Sequence, residues 1–229
     1  MNVLLFGSTG MVGQGVLREC LADPGVERVT AVVRSPSGRT HPKLREVVHR
    51  DLADAGSLER DLAGHDACFF CLGVSSAGMS EADYRRVTFD LTLGVARILA
   101  RVAPGSTFVY VSGAGTDSTA KGSSMWARVK GETENALLAL PLRAVMFRPA
   151  AIQPGPGITS RTRGYRLFYA VMRPVLPVLK ALFPRWVTTT ERVGRAMLAV
   201  ARSPGSPRIL ESADIDALGA DPSGPASLG

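Results

Sequence analysis

Three glycines spaced three residues apart, Gly7, Gly10 and Gly13, directly follow an apolar run over residues 3–6. The run predicts a β-strand, and an apolar stripe at helical spacing over residues 11–20 predicts a helix after the glycines. A helix N-terminus reached through a glycine turn offers free backbone N–H groups and the positive end of the helix dipole, which together suit a pyrophosphate. The loop is therefore predicted to bind a dinucleotide rather than to serve only as a turn.

Each glycine of this loop has a predicted task. Gly7 is expected to adopt a positive φ, Gly10 to let the phosphate approach the backbone, and Gly13 to let the helix pack closely on the strand. The predicted ligands of the dinucleotide are the consecutive residues Gly7, Ser8, Thr9, Gly10, Met11, Val12 and Gly13.

Arg34 directly follows the second predicted strand, residues 29–33. In a dinucleotide-binding fold this position faces the adenosine ribose, where an acidic residue would bind a free 2′-hydroxyl. An arginine suits a 2′-phosphate instead, because its planar guanidinium forms paired, charge-assisted hydrogen bonds. The sequence thus favours NADP(H) over NAD(H), and a solvated arginine in a polar loop is the alternative.

Two further loops follow predicted strands and are expected to contact the same cofactor. Asp51 and Leu52 come after the third predicted strand and are placed near the adenine. Cys71, Leu72 and Gly73 close the fourth predicted strand and are placed beside the middle of the cofactor. Both placements follow from the rule that ligands lie at the carboxyl ends of parallel strands.

The elements that must position these residues alternate between strand and helix patterns up to about residue 150, as is typical of a parallel sheet with crossover helices. The fold is predicted to be α/β, a Rossmann-type doubly wound parallel sheet with strand order 3-2-1-4-5-6 and the dinucleotide across its carboxyl edge. The predicted strands are residues 3–6, 29–33, 44–49, 67–72, 107–111 and 143–147, and the predicted helices after the first are 57–62, 80–102 and 124–140.

Residues 1–213 are predicted to form one NAD(P)-binding domain, with a small C-terminal lobe contributed by residues 151–187. The lobe contains an apolar stretch, residues 165–183, that prolines and basic residues interrupt, which disfavours a membrane span. A cover over the substrate, a homodimer face and an interfacial membrane patch all remain open for it. Residues 188–191 are predicted to cap a helix, and residues 214–229, rich in Gly, Pro, Ala and Ser, to form a disordered tail.

Composition excludes several classes of function. The net charge is +7, but the basic residues are scattered, so attraction of phosphorylated small molecules explains the charge better than nucleic-acid binding. The three cysteines, Cys20, Cys68 and Cys71, lie in apolar runs without nearby histidines, which predicts core cysteines and no metal site. Because Met1 leads directly into the first strand, we expect no signal peptide and a cytoplasmic protein.

Taken together, the motifs resemble those of an atypical short-chain dehydrogenase/reductase. The closest likeness is to the NAD-dependent epimerase/dehydratase-like group that includes the Tat-interacting proteins, over residues 2 to about 210. The motifs that carry the resemblance are Gly7-x-x-Gly10-x-x-Gly13, Cys71-Leu72-Gly73, a strand ending in Ser112, Lys130-Gly131-x-x-Glu134 and Phe147-Arg148-Pro149.

The resemblance implies a Rossmann fold and assigns roles to residues of the later strands. Lys130 would hydrogen-bond the nicotinamide ribose and Ser112 would hold the substrate, so these two are the implied catalytic residues. The segment of Arg148, Pro149 and Ala150 would line the nicotinamide side of the cofactor. A small-molecule substrate is implied, whose identity the sequence does not give.

One position departs from the family pattern. The family signature is Tyr-x-x-x-Lys on one helical face, where the ammonium favours a phenolate that serves as general acid or base. Here Trp126 stands four residues before Lys130. An indole N–H donates a hydrogen bond but does not shuttle a proton. Two functions therefore stay open: an oxidoreductase or epimerase with a different proton source, and an inactive dinucleotide-binding regulatory or scaffolding protein with a protein partner.

Overall fold

The computed structural model describes residues 1–158 and 186–220. Seven parallel strands form the central sheet in the order β3-β2-β1-β4-β5-β6-β9, and β7 pairs with β8 in a separate two-stranded sheet. The strands are β1 Asn2–Phe6, β2 Arg28–Val33, β3 Leu44–Val48, β4 Ala67–Phe70, β5 Thr107–Val111, β6 Arg143–Arg148, β7 Ala151–Gln153, β8 Val187–Thr189 and β9 Ile209–Glu211.

Helices connect the parallel strands and cover both faces of the sheet. A 3-10 helix, Leu52–Leu58, precedes α2, and a π-helical turn, Arg86–Asp90, joins α3 to α4. The α-helices are α1 Met11–Ala22, α2 Glu59–Leu62, α3 Glu81–Arg85, α4 Leu91–Val102, α5 Met125–Leu138, α6 Thr190–Arg202 and α7 Ser212–Leu218. This confirms the predicted Rossmann-type α/β fold.

Two hydrophobic cores lie on opposite faces of the sheet because successive strand residues point to opposite sides. In β1, Val3 and Leu5 face the core under α1 and α6, whereas Leu4 and Phe6 face the core under α4. All four side chains are fully buried, as expected of a central parallel strand. The near-continuous apolar runs of the sequence are thus the signature of strands covered on both faces.

The chain reverses its direction of travel across the sheet between β1 and β4. Residue Leu5 pairs with Ala31 of β2 on one side and with Phe69 of β4 on the other. The first half of the chain therefore builds the sheet outward through β2 and β3, and the second half outward through β4, β5 and β6. In open α/β sheets, ligands bind at the carboxyl ends of the strands beside this switch point.

The predicted order 3-2-1-4-5-6 is confirmed, and three short strands were not predicted. β7, β8 and β9 have three residues each, too few to show a period of two. β9 adds a seventh strand beside β6, through pairs such as Phe147 with Leu210. The predicted helix cap near residue 188 is confirmed, because the Thr189 hydroxyl accepts the Arg192 N–H at the start of α6.

The predicted disordered tail from residue 214 is wrong at its beginning. Residues Ser212–Leu218 form α7, whose start is closed by a capping box between Glu211 and Asp214. Ile215 is fully buried in the core under α6, so burial and capping outweigh the polar composition. Most of the predicted lobe, including the apolar stretch over residues 165–183, lies outside the described residues. Among the helices that are described, none has the length and apolarity needed to cross a membrane.

Candidate functional site

The parallel sheet brings the loops that were predicted to bind the cofactor to one edge. The loop after β1 lies between the ends of β2 and β4, since β1 pairs with both. The Cys71 N–H extends this contact by donating to the Phe6 carbonyl at 3.0 Å. The loop after β5 is held to β6, where the Ser112 N–H donates to the Phe147 carbonyl at 2.7 Å.

Two of the three loop glycines are required by close backbone contacts. Gly7 has a φ of +81°, and a Cβ there would lie 2.7 Å from the Cys71 carbonyl carbon and oxygen. A Cβ on Gly13 would lie only 2.0 Å from the Gly7 carbonyl oxygen, which also accepts the Gly10 N–H at 2.9 Å. The predicted tasks of these two glycines, turn geometry and close packing, therefore match the structure.

Gly10 is less crowded than the other two glycines. Among the described atoms, a Cβ on Gly10 would meet only the Gly7 carbonyl oxygen, at 3.3 Å. Gly10 is also the N-cap of α1, and that described first turn has neither a side-chain cap nor an acidic residue. The N-terminal N–H groups of a helix lack intrahelical acceptors, so this turn suits an anionic ligand. The loop thus fits the pyrophosphate of a dinucleotide.

Arg34 lies at the carboxyl end of β2 and is exposed. It makes no hydrogen bond or ion pair with any residue in the described ranges, so its guanidinium is available for an external anion. Arg39, in the same loop, donates from Nη2 to Gln14 Oε1 at 3.1 Å and so brings a second guanidinium to the start of α1. The sequence shows Arg39 five residues beyond Arg34, but only Arg34 was predicted as a cofactor residue.

The remaining predicted cofactor residues lie at the ends of β3 and β4. Asp51 is exposed and directly precedes the 3-10 helix, whose first residue, Leu52, is half-buried. Cys71 and Leu72 are half-buried, and burial raises the pKa of the Cys71 thiol, so this cysteine stays a neutral thiol. Gly73 is exposed with open space around it. These positions line the expected path of a dinucleotide, and their contacts to it remain predictions.

Lys130 projects from α5 toward the end of β5. Its Nζ donates to the Ser112 carbonyl at 3.1 Å and lies 5.4 Å from the centre of the Tyr110 ring. Burial lowers the pKa of Lys130 to about 8, against the opposing effect of the nearby Glu134 carboxylate. The structure thus joins the two implied catalytic residues, Lys130 and Ser112, in one direct contact.

The Ser112 side chain belongs to a short chain of hydroxyl groups. Its Oγ lies 2.9 Å from Thr116 Oγ1, and Thr116 Oγ1 donates to the Gly113 carbonyl at 2.7 Å. Both side chains are buried, each residue being 8% exposed. Thr116 was not predicted, because no sequence pattern signals that the loop after β5 folds back to place it beside Ser112.

Trp126 lies in the first turn of α5, four residues before Lys130. Its indole ring is close to Gly115, where a Cβ would lie 3.5 Å from Trp126 Cη2. Gly115 has a φ of +83°, so the turn that carries Thr116 needs glycine for its backbone and leaves space for the indole. The tryptophan thus borders the loop that holds Ser112.

Arg148 was predicted to contact the cofactor, but its guanidinium is engaged inside the protein. Its Nε and Nη2 donate to both carboxylate oxygens of Glu134, with Nε–Oε1 at 3.1 Å, and Nη2 also donates to Ser118 Oγ at 2.6 Å. Nη1 reaches Glu211 Oε1 at 3.3 Å. Glu134 is 1% exposed, so this is a buried ion pair that joins β6 to α5. Arg148 therefore supports the site, and its neighbours Pro149 and Ala150 remain candidates to line it.

The turn closed by the Asp117 side chain is a second support of the site, and the sequence did not predict it. The Asp117 carboxylate accepts the Thr119 hydroxyl at 2.7 Å and the N–H groups of Thr119, Lys121 and Gly122 at 2.7–3.0 Å, and these hydrogen bonds lower its pKa to about 2. The Asp117 carbonyl lies where a Cβ on Gly131 would be, 1.7 Å away. Gly131 thus lets the loop before α5 lie directly on that helix. Across the described ranges, no group of three His, Cys, Asp or Glu side chains is placed to hold a metal.

Solved structures similar to this chain include complexes with NAD. WbmF of Bordetella bronchiseptica in complex with NAD+ superposes with a TM-score of 0.67 at 21% identity, over 96% of this chain and 76% of that one. MoeE5 in complex with UDP-glucose and NAD gives a TM-score of 0.68 at 21% identity, over 92% of this chain and 75% of that one. At this identity the likeness establishes the Rossmann-type fold.

Curated relatives include proteins named as mitochondrial. Protein fmp52 of Emericella nidulans is 33% identical over 159 residues, 66% of each chain, and FMP52 of Saccharomyces cerevisiae is 29% identical over 165 residues, 71% of this chain and 68% of that one. The match to the first of these spans just under two thirds of that relative's length. The predicted cytoplasmic localisation is wrong by this comparison, because the names of both relatives place them in mitochondria.

A family model described as NAD(P)H-binding matches residues 7–166. The matched range begins at the first glycine of the loop after β1 and includes both Ser112 and Lys130. The chain belongs to this NAD(P)H-binding family.

Proposed function

We propose that this member of the NAD(P)H-binding family is an NAD(P)(H)-dependent oxidoreductase or epimerase-like enzyme that acts on a small molecule. The observation that best supports the proposal is the contact of Lys130 Nζ with the Ser112 carbonyl at the same sheet edge as the glycine loop. Nucleotide binding alone requires the loop but not a buried lysine beside a buried serine. A bound nicotinamide cofactor supplies or accepts a hydride, and the chain must then position the substrate and handle a proton.

Lys130 and Ser112 are the residues that we assign to these tasks. Lys130 has three N–H donors, of which one is held by the Ser112 carbonyl, leaving donors for the hydroxyls of the nicotinamide ribose. With a pKa of about 8, the Lys130 side chain is mostly charged at neutral pH. It can also exchange a proton at that pH. Ser112 Oγ is the group that orients the substrate. The Tat-interacting-protein-like subgroup stays a proposal on the motifs alone.

For the cofactor we propose NADP(H), with Arg34 on the 2′-phosphate and Arg39 as its neighbour. The support is that the Arg34 guanidinium has no partner within the described residues and lies at the end of β2. Calorimetric titration of Arg34→Ala should show NADPH binding weakened about 10- to 100-fold, with NADH binding unchanged. Arg101→Ala, which removes an exposed arginine paired with Glu59, is the matched control. Equal weakening of both cofactors, or tighter NADH binding by the unmodified protein, contradicts the assignment.

Enzymatic function is tested by restoring the missing phenol. In Trp126→Tyr a tyrosine stands four residues before Lys130, on the same face of α5, and general acid–base catalysis contributes about 10²- to 10⁴-fold to rates. We expect a gain of that order in NADPH-dependent reduction across a panel of carbonyl compounds. Adding Lys130→Met should abolish the gain, and Trp126→Phe should show none. If Trp126→Tyr binds NADPH normally but reduces no carbonyl, the pocket is not arranged for this chemistry.

A second candidate function is that of a dinucleotide-binding regulatory or scaffolding protein. It is favoured by Trp126, which offers no titrating group, and by the hydroxyl chain from Ser112, which ends at the Gly113 carbonyl rather than at solvent. Under this alternative, affinity for a protein partner changes with the bound cofactor. The absence of any gain in the Trp126→Tyr experiment makes it the better hypothesis.

A further inference from the structure

The hydroxyl of Ser112 has a defined proton direction. Thr116 Oγ1 lies 2.7 Å from the Gly113 carbonyl, and because a carbonyl only accepts, the single hydroxyl proton of Thr116 is directed there. Ser112 Oγ lies 2.9 Å from Thr116 Oγ1. The hydrogen bond between the two hydroxyls must then use the proton of Ser112. The chain runs from Ser112 to Thr116 to Gly113, and no proton of Ser112 is left for a ligand.

The surroundings hold this arrangement in place. The Ser112 backbone is fixed on both sides, since its N–H donates to Phe147 and its carbonyl accepts from Lys130. The Thr116 N–H also donates to the Gly113 carbonyl, at 3.2 Å, which closes the turn. Both hydroxyl residues are 8% exposed, so water competes weakly for their hydrogen bonds. Reorienting the Ser112 proton toward a ligand therefore breaks a buried hydrogen bond.

We infer that Thr116 is a specificity-determining residue that makes Ser112 a hydrogen-bond acceptor, so that the site prefers a ligand hydroxyl over a carbonyl oxygen. A carbonyl oxygen meets the lone pairs of Ser112 Oγ without a proton between them. An alcohol donates its O–H to Ser112 Oγ and can still accept from a donor such as the Trp126 indole N–H. The inference rests on the proposed function only in placing the substrate at Ser112. It assigns the substrate class: compounds that carry a hydroxyl group at the reacting position.

The test compares matched alcohol and ketone probes on the full chain. The protein is saturated with tetrahydro-NADP, which transfers no hydride, and titrated with cyclohexanol or cyclohexanone and with 1-phenylethanol or acetophenone. NMR shifts of the amides of residues 112–116 report binding at the site. Because one buried hydrogen bond contributes about 0.5–1.5 kcal/mol, we expect each alcohol to bind about 3- to 10-fold more tightly than its ketone.

Variants separate a specificity role from a structural one. Thr116→Val keeps the side-chain shape but frees the Ser112 proton, and should abolish or reverse the preference for the alcohol. Thr116→Ser keeps a hydroxyl and should restore the preference. Thr133→Val is the matched control, since Thr133 Oγ1 also donates to a backbone carbonyl, that of Val129, at 2.7 Å. It removes the same kind of buried bond elsewhere in the chain and should leave the ratio unchanged.

The outcomes distinguish this inference from the proposed function. Failure of the protein to bind tetrahydro-NADP or NADPH contradicts the proposed function. Normal cofactor binding with an alcohol-to-ketone ratio that is unchanged in Thr116→Val, or with no binding of either probe, overturns the role of Thr116. Neutron diffraction of the deuterated wild-type protein provides a test that needs no variant. It should place the Ser112 deuteron toward Thr116 Oγ1, and a deuteron pointing into the open site overturns the inference.

Discussion

The carboxyl edge of the sheet has two halves that are built on different principles. The cofactor half, formed by the loops after β1 and β2, takes its shape from backbone contacts, such as the 2.0 Å between a Cβ on Gly13 and the Gly7 carbonyl. The half with the proposed catalytic residues, hereafter the catalytic half, is formed by the loop after β5, by β6 and by the start of α5. It takes its shape from side chains, chiefly the buried pair of Arg148 with Glu134. Binding of a common cofactor group requires only the first kind of structure, whereas the proposed chemistry depends on the second.

Because of this difference, the sequence predicts the cofactor half better than it predicts the catalytic half. A Gly-x-x-Gly-x-x-Gly spacing after a strand leaves few conformations, so Gly7 and Gly13 could be assigned their tasks from the sequence. The partner of a buried arginine is set by tertiary packing, and Arg148 was accordingly assigned to the cofactor although Glu134 and Ser118 bind it. The four predictions that follow test this contrast between backbone and side-chain construction.

The largest expected effect comes from breaking the buried pair of the catalytic half. Glu134→Ala leaves the Arg148 guanidinium buried without its main partner, and such losses destabilise proteins by about 3–5 kcal/mol. Chemical denaturation should show this decrease in the free energy of unfolding. Asp83→Ala, which breaks the exposed pair with Arg86, should cost less than about 1 kcal/mol. Similar costs for the two variants contradict the view that side-chain charges hold this half together.

The cofactor half should respond to a single methyl group. Gly13→Ala places a Cβ within 2.0 Å of the Gly7 carbonyl, and overpacking of this kind costs about 1–3 kcal/mol of stability. Because the loop must also move, we expect NADPH affinity to fall about 100-fold, a loss that fluorescence titration can measure. Gly205→Ala is the control, since the described atoms leave open space around that glycine, which lies outside the predicted cofactor loops. An unaffected NADPH affinity in Gly13→Ala excludes the loop as the pyrophosphate site.

The elements that the sequence predicts, and those that it does not, follow the same contrast. Five of the six predicted strands are largely buried apolar runs, whereas the edge strand β3 has no buried residue, and the strand order follows from right-handed crossovers. Three-residue strands and α7 were missed because their burial depends on distant partners, as Leu210 of β9 shows by pairing with Phe147. Dependence on tertiary packing also explains which contacts within the site were not predicted. Thr116 and the contact of Asp117 with Gly131 arise from how one loop folds on α5, which local sequence does not encode.

The smallest expected effect is electrostatic and concerns Lys130. Burial lowers its pKa to about 8 in the folded protein, whereas an unfolded lysine titrates near 10.4. At pH 7 both states hold the proton, and the folded state bears the cost of a buried charge. Between pH 8 and 10 the folded state has released the proton that the unfolded state retains, so stability rises with pH. Relative to Lys130→Met, the wild-type free energy of unfolding should increase by about 1 kcal/mol from pH 7 to pH 9.

That same titration separates the two halves in function. Above pH 8 the Lys130 ammonium loses its charge, so its contribution to NADPH binding should fall, whereas an arginine guanidinium is not deprotonated in proteins. We therefore expect the affinity ratio between wild type and Lys130→Met to shrink from pH 7 to pH 9, and the ratio between wild type and Arg34→Ala to stay constant. Lys121→Met, which removes an exposed lysine before α5, is the control and should follow wild type in both stability and binding. A parallel decline of both ratios places the titrating group elsewhere and removes the electrostatic distinction between the cofactor half and the catalytic half.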